Sequence, residues 1–169
     1  MMRQVALWFG IFMVFFSAGR GFALSEEERD NRINDFTTEI LESFGTDRES
    51  VVKALGTPIK DTVEKYENRH EAGVEDAIET MEYEGLSLTL GTMSSEKKRW
   101  ALALICTSDR YALRNIRVGD PVDKVLKVLG DPAERTAEKV AYGTDYTSLT
   151  LTVDAEGTIK EIEALLWLD

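Results

Sequence analysis

A fourteen-residue stretch occurs twice in this chain. Gly45-Thr-Asp-Arg-Glu-Ser-Val-Val-Lys-Ala-Leu-Gly-Thr-Pro58 is echoed 74 positions later, without a gap, by Gly119-Asp-Pro-Val-Asp-Lys-Val-Leu-Lys-Val-Leu-Gly-Asp-Pro132. Gly, Val, Lys, Leu, Gly and Pro return at matching places. Self-similarity at a fixed offset constrains architecture before any local reading does, and here it implies two copies of one small unit. Each copy ends in Leu-Gly-x-Pro, in which glycine stops a helix and proline bars its continuation.

The residues around the echo assign its elements. Ser25-Glu-Glu-Glu28 has capping-box spacing and opens a helix, with its acids at the positive end of the helix dipole. Ile33, Phe36, Ile40, Leu41 and Phe44 follow as one apolar stripe, and Gly45 closes the element. In the first copy Thr46 is the expected N-cap, answered by Glu49, and Val51, Val52 and Leu55 face inward. In the second, Asp120 is the expected N-cap and Pro121 the first helical residue. Val122, Val125, Leu126 and Leu129 form its stripe.

After each short helix the apolar period falls from 3.6 to 2. Leu86-Ser-Leu-Thr-Leu90 and Leu149-Thr-Leu-Thr-Val153 alternate strictly, and Ser-Leu-Thr-Leu occurs in both, at 87–90 and 148–151. A tyrosine precedes each, Tyr83 and Tyr142. Gly91 to Lys98 reads as the turn into a strand from Trp100 to Cys106, which reads as buried. Asp154-Ala-Glu-Gly157 is a hairpin turn, with a return strand from Ile159 to Trp167. The expected fold class is α+β: two tandem helix-loop-helix plus antiparallel β-meander modules, residues 24–110 and 111–169. Within the first module lies an ambiguous stretch, Ile59 to Glu82, which reads as an elongated hairpin or a loop, with a helix over Glu75–Met81 as the alternative.

Residues 1–23 read as a signal peptide. Arg3 gives a positive start, Val5 to Phe16 is almost wholly apolar, and Gly21 and Ala23 are the small residues a signal peptidase reads. The run is shorter than the roughly 20 residues a spanning helix needs. Cleavage near Ala23 leaves a periplasmic or secreted chain; an uncleaved anchor is the alternative. No cysteine stands near the cleavage site, so no stable lipid anchor is expected, and any membrane association would run through a protein partner. The formal charge is −11, and removal of Arg3 and Arg20 takes it to −13. That balance opposes nucleic acid and anionic lipid surfaces.

Candidate chemistry is sparse. Cys106 is the only cysteine, so no internal disulfide forms, and the thiol reads as a small buried hydrophobe. His70 is the only histidine; a zinc site or a Ser-His-Asp triad built on it lacks the other members. Glu64, Glu67, Glu71, Glu75, Asp76 and Glu79 lack the spacing of a calcium loop and read as a solvated face. No glycine-rich phosphate loop and no basic patch with interleaved aromatics is present. The expectation is no catalytic residue, no metal and no cofactor. The aromatics carry more. Ile162, Ala164 and Leu166 share one face of the last strand, and Glu161, Glu163, Leu165 and Trp167 share the other, which makes Trp167 an exposed ring. Exposed tyrosine and tryptophan on a sheet face are the usual anchors of protein recognition. Ser87, Thr89, Tyr142, Tyr146, Thr150, Thr152 and Trp167 are therefore the candidate partner contacts.

The second copy resembles the SmpA/OmlA (BamE-like) domain of outer-membrane assembly lipoproteins. The matching residues are Ile116-Arg-Val-Gly119, Val125 to Leu129 with Gly130-Asp-Pro132, Tyr142, Leu149 to Val153, Gly157 and Ile159 to Ile162. Two such units in tandem resemble the β-lactamase inhibitor protein (BLIP-like) fold, in which a combined sheet surface grips another protein. The lipoprotein cysteine and the inhibitor's disulfides are both missing. The resemblance implies an exported, non-enzymatic protein-binding module, an envelope-assembly or scaffold component; a secreted or periplasmic inhibitor of a hydrolase such as a β-lactamase is the alternative.

Overall fold

The computed structural model describes residues 25–68, 71–94 and 98–167. The expected signal peptide, its cleavage site at Ala23 and His70 lie outside the described residues.

The described residues begin with α1 (Glu26–Leu41) and a single 3₁₀ turn, followed by α2 (Arg48–Leu55). Four strands follow: β1 (Lys60–Glu67), β2 (Glu75–Tyr83), β3 (Leu86–Met93) and β4 (Lys98–Cys106). Then come α3 (Asp123–Leu129) and β5 (Glu134–Arg135), β6 (Lys139–Gly143), β7 (Thr147–Val153) and β8 (Ile159–Leu166). The strands form one antiparallel sheet in the order β1-β2-β3-β4-β8-β7-β6-β5. Two meanders thus meet through their last strands. Across that seam Leu104 stands opposite Ala164. On its other side Leu104 pairs with Leu88, and Ala164 pairs with Leu149. These are the second residues of the two Ser-Leu-Thr-Leu segments, so the internal echo is laid out symmetrically about the seam.

The fold class is α+β, as the period change implies. The second half, however, holds one helix, α3, where a helix pair is expected. α1 fills the vacancy from the first half. It lies over β4 and β8 and reaches β7 and β6. Ile33, Phe36, Ile40 and Leu41 are buried with Leu104, Leu149, Leu151, Ile162 and Ala164 in one core. Arg29 and Arg32 of α1 donate to the carbonyls of Asp131 and Val128 at the end of α3, and Asn34 Oδ1 accepts from Thr144 and Thr147. Arg114 stacks over Phe36 at 4.5 Å and pairs with Glu39.

Helix starts follow local chemistry with two corrections. Ser25 and Glu28 form the reciprocal capping box that their spacing predicts. For α2 the N-cap is Asp47 rather than Thr46: its carboxylate accepts from Ser50 N at 2.9 Å, and that bond holds its pKa below the ordinary value. For α3 neither Asp120 nor Pro121 begins the helix. Pro121 bridges Thr158, and Val122 N–H donates to Gly157 O, so this backbone is committed to the β7–β8 turn and helix starts only at Asp123. Asp120 accepts instead from Lys124 Nζ at 2.8 Å and Arg117 N at 3.0 Å. The ambiguous stretch is the β1–β2 hairpin, with no helix over Glu75–Met81. β3 claims the other side of β2 in a regular ladder, and that pairing decides against the helix.

The echoed glycine is also a fastening point. Tyr142 Oη donates to Gly130 O at 2.9 Å, and Tyr83 Oη donates to Gly56 O at 3.1 Å. Each meander is thereby tied to the end of the helix before it. The two rings reach equivalent carbonyls from positions two residues apart: Tyr142 pairs with Leu149, whereas Met81 rather than Tyr83 pairs with Leu88.

Two measurements probe this packing. Thr37 is fully buried, and its Oγ1 finds no hydrogen-bond partner among the described residues. A buried hydroxyl left unpaired costs about 1–3 kcal/mol, so Thr37→Val should raise the denaturant midpoint rather than lower it. Burial pushes the Tyr142 phenol up to about 12, whereas the unfolded residue ionises near 10. Between those values the unfolded chain releases a proton that the fold retains, so stability falls as pH rises through this window. Tyr142→Phe should make that alkaline loss shallower, while costing about 1 kcal/mol at neutral pH for the lost bond to Gly130. Equilibrium unfolding from pH 7 to 12 reads both effects.

Candidate binding face

Pleating sends alternate side chains to opposite sides of the sheet. Leu86, Leu88, Leu90, Leu104, Leu149, Leu151, Ile162 and Ala164 point to the helices and are buried. Their neighbours in sequence point the other way, where no described helix lies. One row of this outer face runs Thr80, Thr89, Ala103, Leu165, Ser148 across five strands. The next runs Glu82, Ser87, Ile105, Glu163, Thr150, Ala141. The face is continuous because the β4–β8 seam lies in its middle.

Five candidate contacts belong to it. Ser87 and Thr89 of β3 and Thr150 and Thr152 of β7 are half-buried on the outer side. Trp167 continues the outer register of β8 and is 54% exposed. Tyr146 is 58% exposed in the turn before β7, and its carbonyl accepts from Trp167 N at 2.8 Å, so the two residues are cross-strand neighbours. Tyr142 is a correction. It pairs with Leu149, faces the helices and is 2% exposed. The tyrosine next to a strand turn therefore belongs to the core, where its hydroxyl bonds Gly130.

The apolar part of the outer face comes from a strand that reads as buried. In β4 only Ala101, Leu104 and Cys106 are buried against the helix side. The register slips between Thr89 and Leu90 of β3, so that Ala103 faces Thr89 while Ala101 faces Leu90. Leu102 is the unpaired residue of this bulge, and it lies over Gly91: a Cβ added there would stand 2.7 Å from Leu102 Cδ1. Gly91 is thus the space that Leu102 occupies. Leu102, Trp100, Met93, Ile78 and Tyr66 line a shallow apolar groove of about 160 Å³. Ile105, 40% exposed, extends the surface toward Leu165 and Trp167. Acidic side chains border it: Glu161 and Glu163 form no ion pair among the described residues.

Other features carry less chemistry. A wider cleft, about 760 Å³, lies on the opposite side, between α2 and the sheet. Its lining holds three bases (Arg48, Lys53, Arg99) and three acids (Asp47, Glu49, Glu79), so it offers no net charge to a ligand. Arg48 is already held by Asp61 and Glu79. Cys106 is buried, its thiol is pushed up by desolvation, and Sγ donates to Ser108 O at 3.3 Å. Among the described residues no group of three His, Cys, Asp or Glu side chains could hold a metal ion, and no helix is long and apolar enough to cross a membrane.

No protein-family model and no curated protein matches the chain. Two solved structures are similar to it. One is an extracellular protein containing a SCP domain from Bacillus anthracis str. Ames, at 10% identity and TM-score 0.44, covering 74% of this chain and 44% of that one. The other is a DUF4309 family protein (YjgB) from Bacillus subtilis subsp. subtilis str. 168, at 11% identity and TM-score 0.40, covering 82% of this chain and 97% of that one. The chain spans less than half the length of the first.

The exposed ring of Trp167 and the buried ring of Tyr142 differ in what they contribute to stability. Trp167→Ala should change the unfolding free energy by less than about 0.5 kcal/mol, as for an exposed surface site. Tyr142→Ala should cost about 3–5 kcal/mol, as for a buried ring. Chemical denaturation of both variants measures the contrast, and equal losses would place Trp167 in the core.

Proposed function

We propose that the chain is an exported, non-enzymatic protein-binding module, a cell-envelope assembly or scaffold component that holds its partner against the outer sheet face. The observation that carries this reading is the face itself. Trp100, Leu102, Ile105, Leu165 and Trp167 are brought to one side of the sheet, within a field of Ser, Thr and Glu and with no described element over them. Contiguous exposed apolar surface rimmed by polar groups is the usual mark of a protein contact. Exposed tryptophan supplies large contact area at small entropic cost. Ser87, Thr89, Thr150 and Thr152 provide hydroxyls on the same face that can satisfy a partner's backbone.

In this reading residues 1–23 direct export and are removed, and residues 24–110 and 111–169 are tandem modules of SmpA/OmlA (BamE-like) type in a BLIP-like arrangement. Support comes from the short helix that ends each echo at a glycine whose carbonyl receives a tyrosine hydroxyl. Contact with the membrane runs through the partner.

Site-specific photo-cross-linking in intact cells tests the proposal. A cross-linker at Thr89 or Thr150 should give one dominant protein adduct that fractionates with the envelope, and the same group at Lys53, on the helix side, should not. Equal adducts from both sides, or none from the outer face, would overturn it. An adduct found only with a free hydrolase would favour the inhibitor reading.

A further inference from the structure

The sheet has two edges, and they are unlike. β5 is two residues long and ends the sheet bluntly. β1 is eight residues long, pairs with β2 without any register shift, and is exposed along its whole length. Three of the six large exposed hydrophobics of the described chain cluster there: Ile59, Val63 and Tyr66. A long, regular, partly apolar edge is a template for another strand.

Backbone parity says which residues offer the bonds. Asn68 donates its N–H to Val74 O, and these two residues continue the register that sets Glu67 opposite Glu75 and Lys60 opposite Glu82. Bonding alternates along an antiparallel ladder. Even-numbered residues of β1 therefore turn their N–H and C=O toward β2, and Asp61, Val63, Lys65 and Glu67 turn theirs to the free edge.

We infer that β1 pairs antiparallel with β1 of a second copy of this chain, with Val63 on the two-fold axis. A two-fold perpendicular to the sheet keeps each side chain on its own face, so opposed residues must have the same parity, and only registers centred on a residue are allowed. Centring on Val63 sets Val63 against itself and Asp61 against Lys65 of the second copy, twice, all within the row that carries the free backbone groups. Each of these pairs exchanges both of its backbone bonds. In the other row Lys60 meets Tyr66, and Thr62 meets Glu64. No like charges oppose in either row. Centring on Glu64 would set two glutamates together and Asp61 against Glu67. Centring on Thr62 would set Asp61 against Val63 and would leave Lys65, Tyr66 and Glu67 beyond the overlap with the strand. Asp61 keeps Arg48 on its own chain and Lys65 keeps Glu75, so the new partners join existing pairs. Opposite-charge and apolar cross-strand neighbours set register in this way. The contact is one strand wide, small beside a standard interface, so the dimer is weak and its population follows concentration. Its sheet is continuous through both copies, and their outer faces lie on the same side.

Sedimentation equilibrium of the chain as cells produce it, across a hundredfold concentration range at physiological salt, should show a reversible monomer–dimer equilibrium. Val63→Pro removes only an outward N–H and suits an edge strand, so it should leave the circular dichroism and midpoint unchanged and abolish the dimer. Asp61→Lys alone and Lys65→Glu alone should each be monomeric, because each faces like charge. An equimolar mixture of the two should dimerise, because both pairs are then complementary. A monomer at every concentration, a dimer that survives Val63→Pro, or a mixture no better than its components would overturn the inference. Partner capture by the outer face is scored separately, by whether Val63→Pro still yields the adduct at Thr89.

Discussion

The pairing of β4 with β8 is the contact on which the rest of the structure depends. It joins only four residue pairs, Ala103 to Cys106 with Leu165 to Ile162. Without it there would be two separate meanders, each with a long unpaired edge, and α1 would cover only part of its own half. With it, one helix closes one core over both halves, and the side chains that pleating turns outward become a single face. The inward members of the seam, Leu104, Cys106, Ile162 and Ala164, are all fully buried. The outward members, Ala103, Ile105, Glu163 and Leu165, are the centre of the candidate binding surface. One strand pair therefore supplies both stability and the surface proposed for function.

This layout also explains why the second half holds one helix where a pair is expected. Two copies sharing a core need only enough helical surface to cover their joint inner face. α1 sits astride the seam, and Arg29, Arg32 and Asn34 fasten it to α3 and to the β6–β7 turn of the other half. α2 lies over the outer strands of the first half and leaves a wide cleft there, whose charges are balanced within the protein. β1 lies farther still from the seam. It keeps its place by the ladder to β2 and by Arg48, which joins Asp61 and Glu79 from the helix above. An edge held in place yet left uncovered is what the second-copy pairing requires.

Much of this was legible in the residues where the chemistry is local. The capping box at Ser25, the Asp154–Gly157 turn and the alternation of β7 and β8 all stand where side-chain pattern and turn chemistry put them. Outward Trp167 follows from the same alternation. Three features needed the third dimension. Pro121 is a good first helical residue in isolation, but the strand beside it takes its backbone instead. Trp100 to Cys106 is uniformly apolar, and such a run does not tell a strand buried on both faces from one with an apolar outer face; the bulge at Leu102 erases the period that could have separated them. Tyr142 has a ring suited to either side, and only the carbonyl of Gly130, twelve residues earlier in the chain, decides for the core. The echo itself marked helix ends correctly, but it could not say that one long helix would serve both copies.

Native-state hydrogen exchange resolved by residue tests the central claim, that the β4–β8 seam makes the two meanders one cooperative unit. The amides of Leu104, Cys106, Ile162 and Ala164 should exchange only through global unfolding, with the same free energy and denaturant dependence as Leu88 in the first half and Leu149 in the second. Seam amides that exchange by a smaller opening, with the two halves protected independently, would contradict it.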